Sequence, residues 1–170
     1  DIEVDRYQPV SVAGRFDDET LRVLISVKRE GPGYRLISPL TATDGRRLLI
    51  DRGWIGVEDP LPPVPEGAVS VTGNLQWPRE IDSFTPEPDI AGNTWFARDV
   101  PAMAAALNTE EALVVVREAS YPDAGVTPLP VDTSGIPNDH LQYAITWFSL
   151  ALIWLAMTGF FLARSRRTLA

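Results

Sequence analysis

The chain has 170 residues, a formal charge of −8 at pH 7, one histidine and no cysteine. The lack of cysteine excludes disulfides, CxxC redox pairs, covalent c-type haem attachment, iron–sulfur clusters and thiolate nucleophiles. The acidic balance disfavours binding to nucleic acid and to anionic lipid headgroups.

Short β-type runs separated by Pro and Gly occupy the first 120 residues. We predict strands over 10–15, 23–29, 34–41, 48–57, 69–77, 94–98 and 113–119. Asp44 and Gly45 form the strongest hairpin signal, because Asp-Gly readily adopts the positive φ of a tight turn. Strands joined by short turns predict a β-rich α+β domain with a small antiparallel barrel or sandwich, for which an OB-like barrel is one closure.

One short helix is predicted over 101–107, with Asp99 as its N-cap, Pro101 in its first turn and Asn108 at its end. Two proline-dense segments, 58–67 and 121–137, lack periodicity and predict ordered but irregular connections. The second leads directly into the apolar stretch that follows. We therefore expect it to act as a semi-rigid neck.

The stretch 141–163 is 23 residues long and contains no Asp, Glu, Lys or Arg. At about 1.5 Å per residue its helix spans about 34 Å, enough to cross a hydrocarbon core of roughly 30 Å. A buried helix of a globular protein is the alternative, but the flanks favour a membrane span. Tyr143 and Trp147 lie near one end, and Arg164, Arg166 and Arg167 follow the other.

The positive-inside rule predicts that these arginines lie in the cytoplasm or matrix. The residues before His140 would then lie on the periplasmic or outer side. That outer part carries 12 bases and 23 acids, a formal charge of −11. We predict an external domain (1–120), a Pro-rich neck (121–139), a transmembrane helix (140–163) and a basic tail (164–170). The membrane would be a bacterial plasma membrane or a mitochondrial inner membrane. Because an external domain needs a signal peptide or an earlier span, and this chain starts at Asp1, we expect an upstream hydrophobic segment that is absent here.

The only histidine, His140, stands at the outer mouth of the predicted span. An interfacial histidine commonly just hydrogen-bonds to headgroups, water or a carboxylate. Helical spacing nevertheless places it on one polar, aromatic and small face with Tyr143, Ala144, Trp147, Ala151, Trp154 and Thr158. The other side is suited to lipid and carries Leu141, Ile145, Phe148, Leu152, Leu155 and Leu162. The first face is therefore predicted to contact another helix or a flat ring system.

The run from Asn138 to Phe148, NDHLQYAITWF, resembles the N-x-H-L-x-Y-x-x-T-W-[FY] start of the second membrane helix in the SURF1/Shy1 family. Earlier pieces agree in order: VSVAG (10–14), GYRLISPL (33–40), DG (44–45), LIDRGWI (49–55) and VTGNL (71–75). The resemblance covers essentially the whole chain. The combination of an RGW strand with an HLxYxxTW span is highly specific.

This resemblance implies a membrane-anchored assembly factor for haem-copper cytochrome c oxidase that assists haem a provision to the catalytic subunit. Family members have two membrane helices around an external domain, and the first is missing here. In bacterial relatives the histidine that opens the second span is regarded as a haem ligand, and His140 matches it. Haem a synthase, other oxidase subunits and membrane lipid are further expected partners.

An imidazole nitrogen suits haem iron as an axial ligand, and Tyr143 and Trp147 would lie against the macrocycle. The propionates would face water, near Arg52, Arg35 or the backbone around Asn138. A sheet-surface ion pair of Arg52 with Asp51 or another acid is the alternative. Trp54, on a strand of alternating pattern, is predicted to lie in the core.

Two other functions remain open from the residues. The face of Ala144, Ala151, Trp154 and Thr158 would equally let the chain bind and stabilise the oxidase, or its supercomplex, as a resident subunit without haem. An enzyme is disfavoured, because His140 abuts the membrane, no GxSxG precedes it and no carboxylates pair as a dyad.

Overall fold

The computed structural model describes residues 5–28, 30–131 and 139–168, without the side chains of 166–168. The chain divides into two compact units, Asp1–Val131 and Asp132–Ala170. The first contains a sheet and a short helix, and the second contains a long apolar helix.

The described part of the first unit contains seven strands and one regular helix. They are β1 (Pro9–Phe16), β2 (Leu21–Val27), β3 (Gly31–Ala42), β4 (Arg47–Gly56), β5 (Val69–Gln76), β6 (Thr94–Trp95), α1 (Val100–Leu107) and β7 (Leu113–Ala119). Every predicted strand is present, although β6 is shorter than predicted. The predicted turn between β3 and β4 is confirmed, with Gly45 at a φ of +88°.

The strands form one mixed sheet in the order β1-β5-β7-β4-β3-β2-β6, and β1 also pairs with β3. The expectation of a purely antiparallel sheet is wrong, because β4 pairs with β7, and β2 with β6, in parallel. Long connections separate the members of both pairs, and such crossovers let a strand return in the same direction. The short turns in the sequence indicated the antiparallel hairpins, but they carried no information on the pairing of strands distant in the chain. A barrel, sandwich or OB-like closure stays a prediction.

The sheet is buried on both faces at its centre. Successive residues of a strand point to opposite faces, so Leu49 and Ile50 of β4 enter different hydrophobic clusters. Leu113 and Val114 of β7 divide in the same way. Because β4 is covered on both sides, any charged residue within it must find its partners inside the protein.

Helix α1 covers one of these faces with Val100, Met103, Ala104 and Leu107, which are all buried. The predicted caps are confirmed. The Ala102 amide donates to Asp99 Oδ1 over 3.2 Å, and Asn108 ends the helix in the left-handed conformation at φ 50°. The predicted start at residue 101 differs by one residue from the observed start at Val100.

The proline-rich segment after β7 lies against the sheet over residues 121–128. The ring of Tyr121 meets that of Phe16 edge to face, with centroids 5.7 Å apart. Trp54 and Thr127 exchange two backbone hydrogen bonds of 2.8 Å, and Val126 is buried beside Leu36 and Ile55. The first part of the predicted neck therefore belongs to the first unit, and residues 132–138 lie outside the described residues.

In the second unit, α2 (His140–Thr168) is one continuous helix, five residues longer than predicted. The most apolar 18-residue window of His140–Ser165 has a mean hydropathy of 1.9, and none of that window is buried. This is the one helix of the described residues with the length and composition of a membrane span. It is consistent with the predicted membrane anchor.

Candidate functional site

His140 is the first residue of α2, and its side chain is exposed. The Tyr143 amide donates to the Asp139 carbonyl over 3.0 Å and closes the first turn. Thr146 Oγ1 donates to the Gln142 carbonyl over 2.9 Å, so the helix satisfies this hydroxyl internally. The imidazole is therefore presented at the start of a regular helix, while Asn138 lies outside the described residues.

The unbroken helix brings the predicted face together. Because α2 is helical throughout, positions three and four apart align along one side. That side carries His140, Tyr143, Ala144, Trp147, Ala151, Trp154 and Thr158. Its aromatic side chains are exposed, and so are Leu141 and Phe148 on the opposite side. The described residues thus leave both sides of α2 uncovered, and the predicted division into partner and lipid faces stays a prediction.

A shallow depression of about 190 Å³ lies at the start of α2, lined by Asp139, Gln142, Tyr143 and Thr146. Cofactor sites usually occupy roughly 300–1,000 Å³ and enclose most of the ligand. The depression is too small to enclose a macrocycle. The residues present fit one wall of a haem site, namely one imidazole and two aromatic rings on one face. Any haem held here would need a second polypeptide or span as its other wall.

Among the described residues, no group of three or more His, Cys, Asp or Glu side chains is arranged to hold a metal ion. His140 alone can contribute one nitrogen ligand, as an axial haem ligand does.

Arg52, the predicted propionate partner, lies in the first unit, and its residue is 1% exposed. Its Nε and Nη2 donate to the two oxygens of Asp123 over 2.8 and 2.6 Å. Nη2 also donates to the carbonyl of Pro63 over 2.9 Å. The alternative, an ion pair of Arg52 with Asp51 or another acid, is confirmed with Asp123 as the acid. Only its expected position on the sheet surface is wrong, because both proline-dense segments cover the guanidinium. A haem propionate would have to displace Asp123 to reach it.

A second buried ionic cluster is centred on Asp51, the neighbour of Arg52 on β4. Arg35 Nη1 donates to Asp51 Oδ2 over 2.5 Å, and Arg98 Nη1 lies 3.8 Å from the same oxygen. Arg98 Nε donates to Glu80 Oε1 over 3.0 Å, and its Nη1 donates to Gln76 over 2.9 Å. Arg35 is therefore also engaged inside the protein.

The two carboxylates of this cluster respond differently to their surroundings. Burial raises the pKa of Asp51, although Arg35 and Arg98 act against the rise. Burial is also the largest influence on Glu80, but the hydrogen bonds and charge of Arg98 together outweigh it and lower the pKa of Glu80. The Oδ1 atom of Asp51 is buried and has no hydrogen-bond partner in the described part of the chain.

Trp54 is partly buried, so the prediction of a core position is only approximately met. Its indole lies on Gly33 of the neighbouring strand. A Cβ at Gly33 would come within 2.2 Å of Trp54 Nε1 and 2.1 Å of the Ile55 carbonyl oxygen. This contact gives a physical reason for pairing a GY segment on β3 with an RGW segment on β4.

Sequence reasoning missed Asp123, Glu80 and Arg98 as members of the ionic clusters. One signal was available, because the charged pair Asp51 and Arg52 interrupts an otherwise apolar run on β4. Such a pair in a buried strand indicates internal partners. Their identities were not readable, since Asp123 lies 71 residues from Arg52.

Comparison with known proteins gives one consistent family. The model of the SURF1 family matches residues 1–152. A SURF1-like protein of Monosiga brevicollis is 31% identical over 91% of this chain and 66% of its own length. A SURF1-like protein of Rickettsia felis is 26% identical over 86% of this chain and 69% of its own length. Human Surfeit locus protein 1 is 28% identical over 85% of this chain and 55% of its own length. The chain thus spans between about half and about two thirds of these relatives.

Proposed function

Because the chain belongs to the SURF1 family, we propose that it is a membrane-anchored assembly factor for haem-copper cytochrome c oxidase. Its task would be to assist haem a binding by the catalytic subunit. No residue of this chain is assigned a catalytic role. In this proposal α2 serves both membrane attachment and oxidase assembly.

The observation that carries the proposal is His140 at the first position of α2, followed by the exposed rings of Tyr143 and Trp147 one and two turns along. Bound haem would supply an iron atom that accepts an imidazole nitrogen as axial ligand. His140 would provide that nitrogen, and the two rings would lie against one surface of the macrocycle. Arg52 is a weak candidate for the propionates, since Asp123 already occupies it.

A one-sided site suits transfer of the cofactor. The chain would supply one nitrogen ligand and one wall. It would therefore bind haem more weakly than a closed pocket with two axial ligands does. The opposite wall would come from an upstream span or from a partner such as haem a synthase. Removal of that wall would release the cofactor toward the catalytic subunit.

The proposed orientation in the membrane is supported by the distribution of charge. Arg164 and the arginines at 166 and 167 follow the apolar window of α2, which favours a cytoplasmic or matrix C-terminus. The sheet domain would then stand on the periplasmic or outer side of a bacterial plasma membrane or mitochondrial inner membrane. His140 would lie at the outer surface of that membrane.

The test is a haem spectrum of the full-length protein, with its natural upstream sequence, purified from a host that makes haem a. His140→Ala should abolish most of the bound haem, because it removes the nitrogen ligand. Leu141→Ala, one residue away on the opposite side of α2, should retain it. Equal haem content in His140→Ala and wild type would remove His140 from this role.

A second function is supported by the length of the polar and aromatic face. Trp154 and Thr158 lie 14 and 18 residues beyond His140, which is about 21 and 27 Å along the helix axis. A ring system held by His140 near the membrane surface does not account for residues so deep. Together with Ala144 and Ala151, they suit a resident accessory subunit that packs on an oxidase helix without carrying haem. Stoichiometric co-purification with oxidase that survives His140→Ala, with no haem in the wild type, would favour this role.

A further inference from the structure

Large apolar side chains are concentrated on the connection between β5 and β6. Phe84 is 90% exposed, Ile90 67% and Ile81 56%. Phe96, just after β6, is also exposed. Water contact with so many neighbouring apolar groups is unfavourable, and in soluble domains such patches mark interaction sites.

Two of these residues, Ile81 and Phe96, line a small cavity of about 220 Å³. Pro86 and Pro88 also line it, together with the buried Trp95 of β6 and the partly buried Ala102 of α1. Phe84 adjoins it, since the next residue, Thr85, also lines the cavity. We call the set Ile81, Phe84, Pro86, Pro88, Ile90 and Phe96 the Phe84 surface.

A hydrogen-bonded turn holds Phe84 in its exposed position. Asp82 Oδ1 accepts from the Phe84 amide over 2.8 Å and from Thr85 Oγ1 over 3.0 Å. The Asp82 amide in turn donates to Thr85 Oγ1 over 3.0 Å. The aromatic ring is therefore displayed by a formed structure.

Hydrogen bonds hold the rest of the connection to the domain on both sides of this turn. Before it, Glu80 Oε2 accepts from the Arg98 backbone amide over 2.9 Å. After it, Arg22 Nη2 donates to the Gly92 carbonyl over 2.6 Å, and Asn93 Nδ2 donates to the Thr20 carbonyl over 2.7 Å. A surface ordered in advance loses little conformational entropy on binding, which favours its use as a docking site.

Three carboxylates lie beside the Phe84 surface without a counterion among the described residues. Asp82, Glu87 and Asp89 lie within it or at its edge, and none of them forms an ion pair within the described ranges. Glu80 differs, because it is paired with Arg98. Three uncompensated carboxylates beside an apolar cavity are complementary to an apolar side chain flanked by Lys or Arg. They would repel an anionic lipid surface.

We infer that the Phe84 surface docks a water-exposed protein segment that inserts an apolar side chain into the cavity and sets Lys or Arg against Asp82, Glu87 and Asp89. The inference rests on the proposed function in one respect, namely that the segment belongs to an oxidase subunit. The contact would be separate from α2, so that a partner is held by its aqueous part as well as by its membrane part.

The experiment introduces the photoreactive residue benzoylphenylalanine at position 84 of the full-length protein in its natural membrane. A matched protein carries it at Arg117, which is exposed on β7. Ultraviolet light should join position 84, and not position 117, to an oxidase polypeptide. Combining Asp82→Asn, Glu87→Gln and Asp89→Asn should reduce that product about tenfold, as expected for three exposed ion pairs.

Asp82→Asn and Asp89→Asn each keep an oxygen that accepts the hydrogen bonds of its turn, so we expect the fold to be preserved. The matched control removes the same charge elsewhere through Asp18→Asn, Glu58→Gln and Glu118→Gln, and it should leave the product unchanged.

Crosslinks to lipid or only to a second copy of the chain would overturn the inference, as would an equal loss in both triple variants. An absent product with normal oxidase co-purification would also overturn it and would leave the assembly role intact. Failure of the wild type to co-purify with oxidase would instead refute the proposed function and the inference together.

Discussion

Replacing Asp123 with Asn should open the segment after β7 by leaving the Arg52 charge without its partner. Arg52 is 1% exposed and gives two hydrogen bonds to Asp123 and one to the Pro63 carbonyl. After the change, the cation stays buried with one neutral acceptor in place of a carboxylate. Removal of one member of a buried ion pair typically costs about 3–5 kcal/mol, and we expect about 3, since the introduced amide oxygen can still accept one hydrogen bond.

The assay is urea unfolding of the detergent-solubilised chain, followed by circular dichroism of the sheet. Hydrogen exchange at the Thr127 amide, which donates to the Trp54 carbonyl over 2.8 Å, separates local opening from global unfolding. Exchange there should accelerate strongly in Asp123→Asn, even at temperatures where the sheet remains folded. This result would show that the Arg52–Asp123 ion pair holds the segment after β7 against the sheet.

A double replacement supplies the control. Arg52→Met with Asp123→Leu removes both charges and keeps most of the volume, and such exchanges are often neutral or stabilising. The double variant should therefore be clearly more stable than Asp123→Asn alone. A loss below about 1 kcal/mol in Asp123→Asn, the range of exposed ion pairs, would refute the reasoning.

Three further results are expected. Gly33→Ala should cost about 1–3 kcal/mol by overpacking and alter the fluorescence of Trp54, because the new Cβ would lie 2.2 Å from the indole nitrogen; an unchanged unfolding midpoint would contradict the packing described. The pKa of Glu80 is lowered from 4.5, so its stabilising effect is present above pH 4.5 and is lost as pH falls through the folded-state pKa. At pH 7 the free energy of unfolding of the wild type should exceed that of Glu80→Gln by less than about 1 kcal/mol, since the Glu80 side chain is 37% exposed. The two unfolding curves should converge in acid, and a gap that widens there would be inconsistent with the Arg98 pairing. Asp99→Ala should cost about 1 kcal/mol through loss of the N-cap of α1, whereas Asp99→Asn should restore most of it in the same unfolding measurement.

The positions of the strands were readable because they depend on neighbours in the sequence. Alternating apolar residues, Gly and Pro at the turns and the Asp44-Gly45 pair each act over a few residues. The same holds for α1, whose two caps, Asp99 and Asn108, lie within one residue of its ends. The length of the apolar stretch 141–163 and its lack of charged residues were equally local properties.

The pairing of distant strands was not readable. The hairpins implied an antiparallel sheet, but the parallel pairing of β4 and β7 brings Leu49 beside Leu113 across a long connection. The Phe84 surface was likewise hidden, because Ile81 and Phe96 share a cavity only after the connection folds onto α1. His140 and its aromatic neighbours came from helical spacing, and their haem role stays a prediction.

The sequence by itself determined where β1 to β7, α1 and α2 lie, and its motifs identified the SURF1 family. Those properties arise from backbone preferences and apolar periodicity over short stretches, so a linear chain displays them. Tertiary structure alone decided that Arg52 meets Asp123 and Asp51 meets Arg35. A buried charge selects whichever counterion the completed fold brings within hydrogen-bonding distance, and that choice does not exist before the strands have paired.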